Sequence, residues 1–152
     1  MKGKEKIYLL KEIPEPGKSF IESVNVLLGF LSPNNYSVNQ KRLKELLGNQ
    51  LLEIYLLEID EKVVGMGSLH YTETLVKKAA WIEDVVVHPE HRKKGLGKKI
   101  IKHMISRAEK KGVKHVDLTS RNNRVKAHKF YQKINFEKRK SSVYRFNTKG
   151  KK

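Results

Sequence analysis

The chain has no cysteine. That absence removes disulfides, thiolate zinc sites and any covalent mechanism that runs through a Cys nucleophile. No apolar run approaches membrane-spanning length, and the first residues, Met1-Lys-Gly-Lys-Glu-Lys, lack the apolar core of a signal peptide. A soluble, cytoplasmic protein with no membrane partner is the expectation. Aromatic residues are scarce at 8%, and few of them interleave with the lysines. Acids are scarce as well: 16 Asp and Glu face 33 Lys and Arg, a net charge of +17. Such a charge draws anions: nucleic acid, a phosphorylated small molecule or an anionic surface. The lysines run along most of the chain, from Lys2 to Lys152, so a generally solvated basic surface competes with a nucleic-acid patch.

What remains is globular but polar, with 38% hydrophobic and 32% charged residues. A length of 152 residues with no repeat and no linker composition reads as one domain, 1–152, long enough for a substantial core. Residues 7–10 read as a strand, stopped by the breakers Pro14, Pro16 and Gly17. Ser19 is placed to cap a helix with Phe20 or Ile21, Val24, Leu27, Leu28 and Leu31 on one face. A short helix over 39–47 ends at Gly48-Asn49. Strands over 51–59 and 63–71 are joined by the tight acidic turn Asp60-Glu61-Lys62. Gly65 and Gly67 in the second arm mark a close backbone or ligand approach, or an irregular edge.

After a polar connection over 72–79 comes the stretch around which the chain is organised, residues 81–97. It reads as a buried strand over 82–87, a turn broken by Pro89, and the basic loop Arg92-Lys93-Lys94-Gly95-Leu96-Gly97. The amphipathic helix behind it sets Leu96, Ile100, Ile101, Met104, Ile105 and Ala108 against Lys98, Lys99, Lys102 and Lys110, and stops at Gly112. A strand over 113–119, a helix from about Arg124 and a last strand over 143–146 complete the order β-α-α-β-β-β-α-β-α-β. That order describes an α/β (α+β) fold with a mixed, mostly antiparallel central sheet and helices on both faces.

A strand that feeds a glycine loop at a helix N-terminus is a way of holding a phosphate. Backbone N–H groups converge there, the helix dipole favours negative charge, and glycine lets the anion approach the main chain. The loop is not a Walker A motif, because position 92 is Arg and position 99 is Lys. It is not a dinucleotide fingerprint either, because Ile100 stands where the third glycine belongs.

The pattern Arg-x-x-Gly-x-Gly that remains, after a strand ending in Val-x-Pro, resembles the coenzyme A pyrophosphate loop of the GNAT superfamily of N-acetyltransferases. A second block, Asn122 to Phe136, is similar to the superfamily's later motif Ala-x-x-(apolar)-Tyr-x-Lys-x-Gly-Phe, carried by Ala127, Phe130, Tyr131, Lys133 and Phe136. Two positions depart from it. Asn135 replaces the usual Gly, and Arg124 stands where an Asn is usual, with Asn123 one place earlier. Asn135 is one of the few residue types that accepts the left-handed backbone of a helix end.

The resemblance implies a GNAT fold over essentially the whole chain and transfer of an acetyl group from acetyl-CoA to an amine by direct attack. Neither a metal nor an acyl-enzyme is implied. It places the pyrophosphate on Arg92, Lys93, Lys94, Gly95, Leu96, Gly97 and Lys98. The pantetheine arm pairs with the backbone of Val85, Val86 and Val87, and Asn123, Ala127, Phe130 and Lys133 complete the cofactor contacts. It makes Tyr131 the general acid, since a phenol near pKa ~10 can protonate a leaving thiolate; Tyr144 is the weaker alternative.

Glu83 and Asp84, on opposite faces of a regular strand, are the candidates for base or amine holder. Two adjacent carboxylates among apolar residues are costly unless used or paired, so a salt bridge to a nearby Lys or Arg is the plainer reading. Glu-Asp followed by Val-Val-Val is similar to the equivalent strand of glucosamine-6-phosphate N-acetyltransferases. His88 and His91 lack further ligands for a metal and read as exposed turn residues.

A small primary amine is the expected acceptor, and an anionic or phosphorylated one suits the charge. A protein or peptide amine ranks lower, because basic tails are steered poorly to a basic enzyme. A nucleic-acid-binding module ranks below both, since it leaves the glycine loop and Tyr131 unexplained. A homodimer is compatible with the chain.

Overall fold

The computed structural model describes residues 3–13 and 15–150, so Pro14 lies outside the described residues. The chain divides into two compact units, Met1–Thr119 and Ser120–Lys152. Unit 1 runs β1 (Glu5–Leu9), a 3₁₀ turn (Leu10–Glu12), α1 (Lys18–Leu31), α2 (Gln40–Gly48), β2 (Leu52–Ile59), β3 (Lys62–Glu73), β4 (Lys78–Val87), a second 3₁₀ turn (Pro89–His91), α3 (Leu96–Lys110) and β5 (Val116–Leu118). Unit 2 contains α4 (Val125–Lys133). The five strands lie in chain order in one sheet; the first three pairings are antiparallel and β4–β5 is parallel. The expected mixed, mostly antiparallel α/β fold is what forms.

Local chemistry explains most of the boundaries. The Asn39 side chain accepts the Arg42 N–H at 2.9 Å and starts α2. Asp60 (φ 49°) and Glu61 (φ 64°) both take positive φ, which is what a tight two-residue hairpin needs to match the twist of β2 and β3. Helix α1 begins two residues earlier than its serine suggests. Gly17, with extended backbone, is the cap, and Ser19 lies inside the helix. The polar connection shrinks to the tip of a hairpin, because Ala79 and Ala80 are buried strand residues.

Two layers cover the sheet of unit 1. Tyr8, Leu10, Val24, Leu27, Leu43, Leu56, Met66 and Val86 pack together on the α1 side. Strand alternation sends Gly65 and Gly67 to the other side, under α3. A Cβ on Gly67 would stand 2.8 Å from Met104 Cε, and one on Gly65 would stand 3.0 Å from Ile100 Cδ1. Of the readings open for these glycines, close approach by α3 is the one the structure shows. The α3 face that presses there is Leu96, Ile100, Ile101, Met104 and Ala108, all buried.

Under the C-terminal half of α3 lies a polar cluster that reading 51–59 simply as a strand does not reveal. Glu53 is 4% exposed. Its Oε2 accepts the hydroxyls of Tyr55 at 2.6 Å and Tyr71 at 2.9 Å, while Lys111 Nζ approaches Oε1 at 2.7 Å. Burial alone would raise the Glu53 pKa, but the hydrogen bonds from Lys111, Tyr55 and Tyr71 outweigh it and hold the carboxyl below its usual range.

The last expected strand does not form. Residues 143–146 have the alternating, β-branched and aromatic composition of a strand, yet no ladder partner. Beyond Phe136, among the described residues, the one backbone–backbone hydrogen bond joins the Gly150 N–H to the Thr148 carbonyl. Composition supplies a strand's side chains, but only a neighbour supplies its hydrogen bonds. Strand β5 is likewise shorter than expected, because Val113 is drawn into the end of α3 by its N–H bond to the Ala108 carbonyl at 3.3 Å.

Candidate active site

The basic loop joins β4 to α3 through two left-handed residues, Lys93 (φ 62°) and Gly95 (φ 76°), and Gly95 caps the helix. Among the described residues, none of the six consecutive backbone N–H groups from Lys93 to Lys98 has a hydrogen-bond partner. A run of free donors at the positive end of a 15-residue helix fits a diphosphate, which offers many acceptor oxygens and negative charge. Gly97 leaves the approach open, since a Cβ there would meet only Val87 Cγ2 at 3.9 Å. Arg92 does more than add charge: its Nε donates to the Val87 carbonyl at 2.9 Å and ties the loop back to the end of β4.

Strand β4 is open where the expected pantetheine contacts Val85, Val86 and Val87 lie. On one side it follows β3 as far as Gly65↔Val87, but on the other it meets β5 only at Ala80, Trp81 and Ile82. Among the described residues, the β5-side edge has no strand neighbour from Glu83 onward, which suits an extended, amide-bearing ligand.

The same segment corrects the expectation of a regular strand. Ser68 pairs with Glu83 and Met66 with Val86, so three steps along β4 oppose two along β3. The extra residue is a β-bulge, with Asp84 in the left-handed region at φ 54°. Directly paired residues share a face, so Glu83 lies on the α1 side with Ser68. Asp84 is beside it, close enough to Ser68 for that side chain to lower its pKa. Bulging therefore brings to one face two carboxylates that a regular strand would separate.

Their electrostatics are unusual for so basic a chain. Among the described residues no Lys, Arg or His forms a salt bridge with either carboxylate, so the plainer reading does not apply. Burial and the adjacent Asp84 charge raise the Glu83 pKa, with His70 opposing. Burial raises that of Asp84, with Ser68 opposing. Both groups are moved toward the range where a carboxylate accepts a proton readily. Ser68 and His70 were not expected in the site; their even spacing along β3 with Met66 was the available signal. His88 and His91 are half-buried rather than exposed, with ring centroids 6.0 Å apart and His88 edge-on to Phe30.

In unit 2, Ala127, Phe130, Tyr131 and Lys133 all sit on α4, and Asn123 is exposed in the turn closed by the Arg124 N–H to the Arg121 carbonyl at 3.0 Å. The helix ends in the left-handed Asn135 (φ 69°), the conformation expected of it in place of Gly. The Tyr131 ring is half-buried between Phe130 and Phe136, at 5.4 and 5.8 Å between centroids. Burial raises its pKa, against a smaller opposing effect of Arg124, so at neutral pH the phenol keeps its proton and can donate it. Tyr144 is almost fully exposed.

The chain matches the family model described as Acetyltransferase (GNAT) family over residues 20–136. Its fold is similar to glucosamine-6-phosphate N-acetyltransferase from Arabidopsis thaliana, with 27% identity over 94% of this chain and 98% of that one and a TM-score of 0.75. It is similar to an aminoglycoside acetyltransferase from an uncultured soil metagenomic sample, with 22% identity over 95% of both chains and a TM-score of 0.80. A third similar structure, an aminoglycoside N-acetyltransferase in complex with CoA, shares 15% identity over 99% of this chain and 98% of that one, with a TM-score of 0.76.

Proposed function

The chain belongs to the acetyltransferase (GNAT) family, and we propose that it moves an acetyl group from acetyl-CoA to the primary amine of a small, anionic or phosphorylated substrate. The observation that carries the cofactor reading is the run of six unpaired N–H groups from Lys93 to Lys98, beside the open edge of β4. Since the family model runs through both units, we read 1–152 as one acetyltransferase domain.

When bound, acetyl-CoA supplies an activated acetyl thioester. In our reading, Arg92, Lys93, Lys94 and Lys98 neutralise its pyrophosphate while the amides of Gly95, Leu96 and Gly97 orient it. Val85, Val86 and Val87 lend the open edge of their strand to the pantetheine amides, with the Val87 carbonyl already held by Arg92. Asn123, Ala127, Phe130 and Lys133 keep the cofactor-contact roles their motif positions carry.

Glu83 and Asp84 hold the incoming amine as its ammonium and take up the proton it must lose before it can attack; their raised pKa values suit that task. Tyr131, protonated at neutral pH, delivers the proton that the departing thiolate needs. The phosphorylated-amine preference rests on the net charge of +17 and on likeness to an enzyme named for glucosamine 6-phosphate.

The test is thiol release from acetyl-CoA across an amine panel: glucosamine 6-phosphate, 2-aminoethylphosphonate, glucosamine, an aminoglycoside and no amine. Faster release with a phosphorylated amine than with its neutral counterpart is expected. Release from the aminoglycoside alone would overturn the substrate class, and no amine-dependent release at all would overturn the transfer reading.

A further inference from the structure

We propose that unit 2 carries a second, non-catalytic site, for single-stranded nucleic acid, built on residues 138–149; it goes beyond acetyl transfer and does not depend on it. Charge is unevenly divided in this chain. The 33 residues of Ser120–Lys152 contain twelve Lys and Arg and one acid, Glu137, so about a fifth of the chain carries +11 of the net +17. Among the described residues, no Lys or Arg of the unit forms a salt bridge. Within it, Lys138, Arg139, Lys140, Arg145 and Lys149 surround Val143, Tyr144 and Phe146, with no acid between them. Those three apolar residues are 73%, 93% and 89% exposed.

Large apolar side chains held in water among unpaired cations describe a surface that waits for a partner. The partner must neutralise several positive charges and cover flat aromatic faces together. A single nucleic acid strand does both, with phosphates for the cations and bases for the rings. When the backbone of 143–146 is drawn out along such a strand, Tyr144 and Phe146 stand on one side about 6.6 Å apart. That is close to twice the ~3.4 Å step of stacked bases, so one base fits between the two rings, while Arg145 faces the opposite side. A duplex keeps its bases stacked on one another and offers the rings nothing. An acidic peptide has charge without planar faces; an anionic membrane also takes basic and aromatic side chains at its interface, and the vesicle arm of the test separates it from a strand.

Fluorescence anisotropy of the full chain with a labelled 12-nucleotide oligouridylate tests the site. Binding should weaken roughly 50-fold between 50 and 200 mM salt, the response of about four phosphate contacts to a single strand. Replacing both rings by leucine (Y144L with F146L), which keeps apolar area and removes stacking, should weaken binding about tenfold or more and leave the salt slope unchanged. The triple variant Lys138→Gln, Arg139→Gln, Lys140→Gln should instead flatten the slope by about two. Circular dichroism of each variant should match the parent, since these exposed side chains support no core. Absent binding at 50 mM salt, equal affinity for a duplex of the same length, an unchanged affinity in the leucine variant, or tighter binding to phosphatidylserine-containing vesicles would each overturn the proposal.

Discussion

Substituting Gly97→Ala separates what the loop does for the fold from what it does for the ligand. Gly97 is the second residue of α3 and has ordinary helical backbone rather than positive φ. An added Cβ meets only Val87 Cγ2, at 3.9 Å, which is normal van der Waals contact. The folded protein therefore accommodates alanine without strain. Because alanine costs less backbone entropy than glycine in a helix, the variant should gain about 0.5 kcal/mol, the lower end of the usual range for a first-turn position. For a chain of this length that is a rise in Tm of about 1–2 °C.

In the binding mode proposed above, the same methyl group stands among the free amides that take the pyrophosphate of acetyl-CoA, and it pushes the anion off them. Weakening one charge-assisted contact of that kind should raise Kd about tenfold, or about 1.4 kcal/mol. Gly95→Ala makes the control. At φ 76° it imposes a left-handed alanine, costing about 1–2 kcal/mol, so Tm and affinity should fall together. Differential scanning fluorimetry and titration calorimetry on the two variants supply both readings. A Gly97→Ala protein that binds acetyl-CoA as the parent does, or that melts below it, would refute the reasoning.

Tyr131→Phe keeps the ring between Phe130 and Phe136 and removes only the hydroxyl, so kcat should drop by about 10²-fold or more while acetyl-CoA Kd stays within twofold; equal losses would mean the ring binds rather than donates. A carboxyl whose folded pKa lies above its ordinary value binds protons more readily folded than unfolded, so its ionisation costs stability above the folded pKa, and that cost vanishes below the unfolded one. Glu83→Gln should accordingly raise Tm only slightly at pH 7, because solvent screens this exposed side chain, lower turnover, and lose its stability advantage below pH 4.5, all read by pH-resolved melting and thiol release. Glu53 has the opposite sign: its lowered pKa stabilises the fold above 4.5 and ceases to do so as pH falls through the folded value, so Glu53→Gln should flatten the acid limb of the stability curve. Lys111→Met should cost about 1–3 kcal/mol at pH 7 in urea titrations, because it removes the 2.7 Å cation from a buried carboxylate, though Lys111 is partly solvent-screened.

Where a local rule decides a feature, the sequence already showed it. The helix starting near Asn39, Asp60-Glu61 as a turn, the α3 face and the left-handed Asn135 each follow from one residue type meeting one backbone need. The glycine loop was legible for the same reason, as free donors at a helix start are a consequence of chain direction alone. What escaped depends on neighbours. A bulge at Asp84 exists only in the pairing of β3 with β4, and alternation along a single strand sent Glu83 and Asp84 to opposite faces. Glu53 looked like one polar residue in an apolar run, because Tyr71 and Lys111, 18 and 58 positions away, are what satisfy it. Residues 143–146 have strand chemistry without a ladder, and no property of four residues reveals whether a partner lies beside them.

Titration calorimetry of the full chain with acetyl-CoA at moderate salt tests the central claim most directly. Saturable binding at one site per chain is expected, weakened in Gly97→Ala and preserved in Tyr131→Phe. No heat of binding at moderate salt, or a signal that survives unchanged in Gly97→Ala, would contradict it.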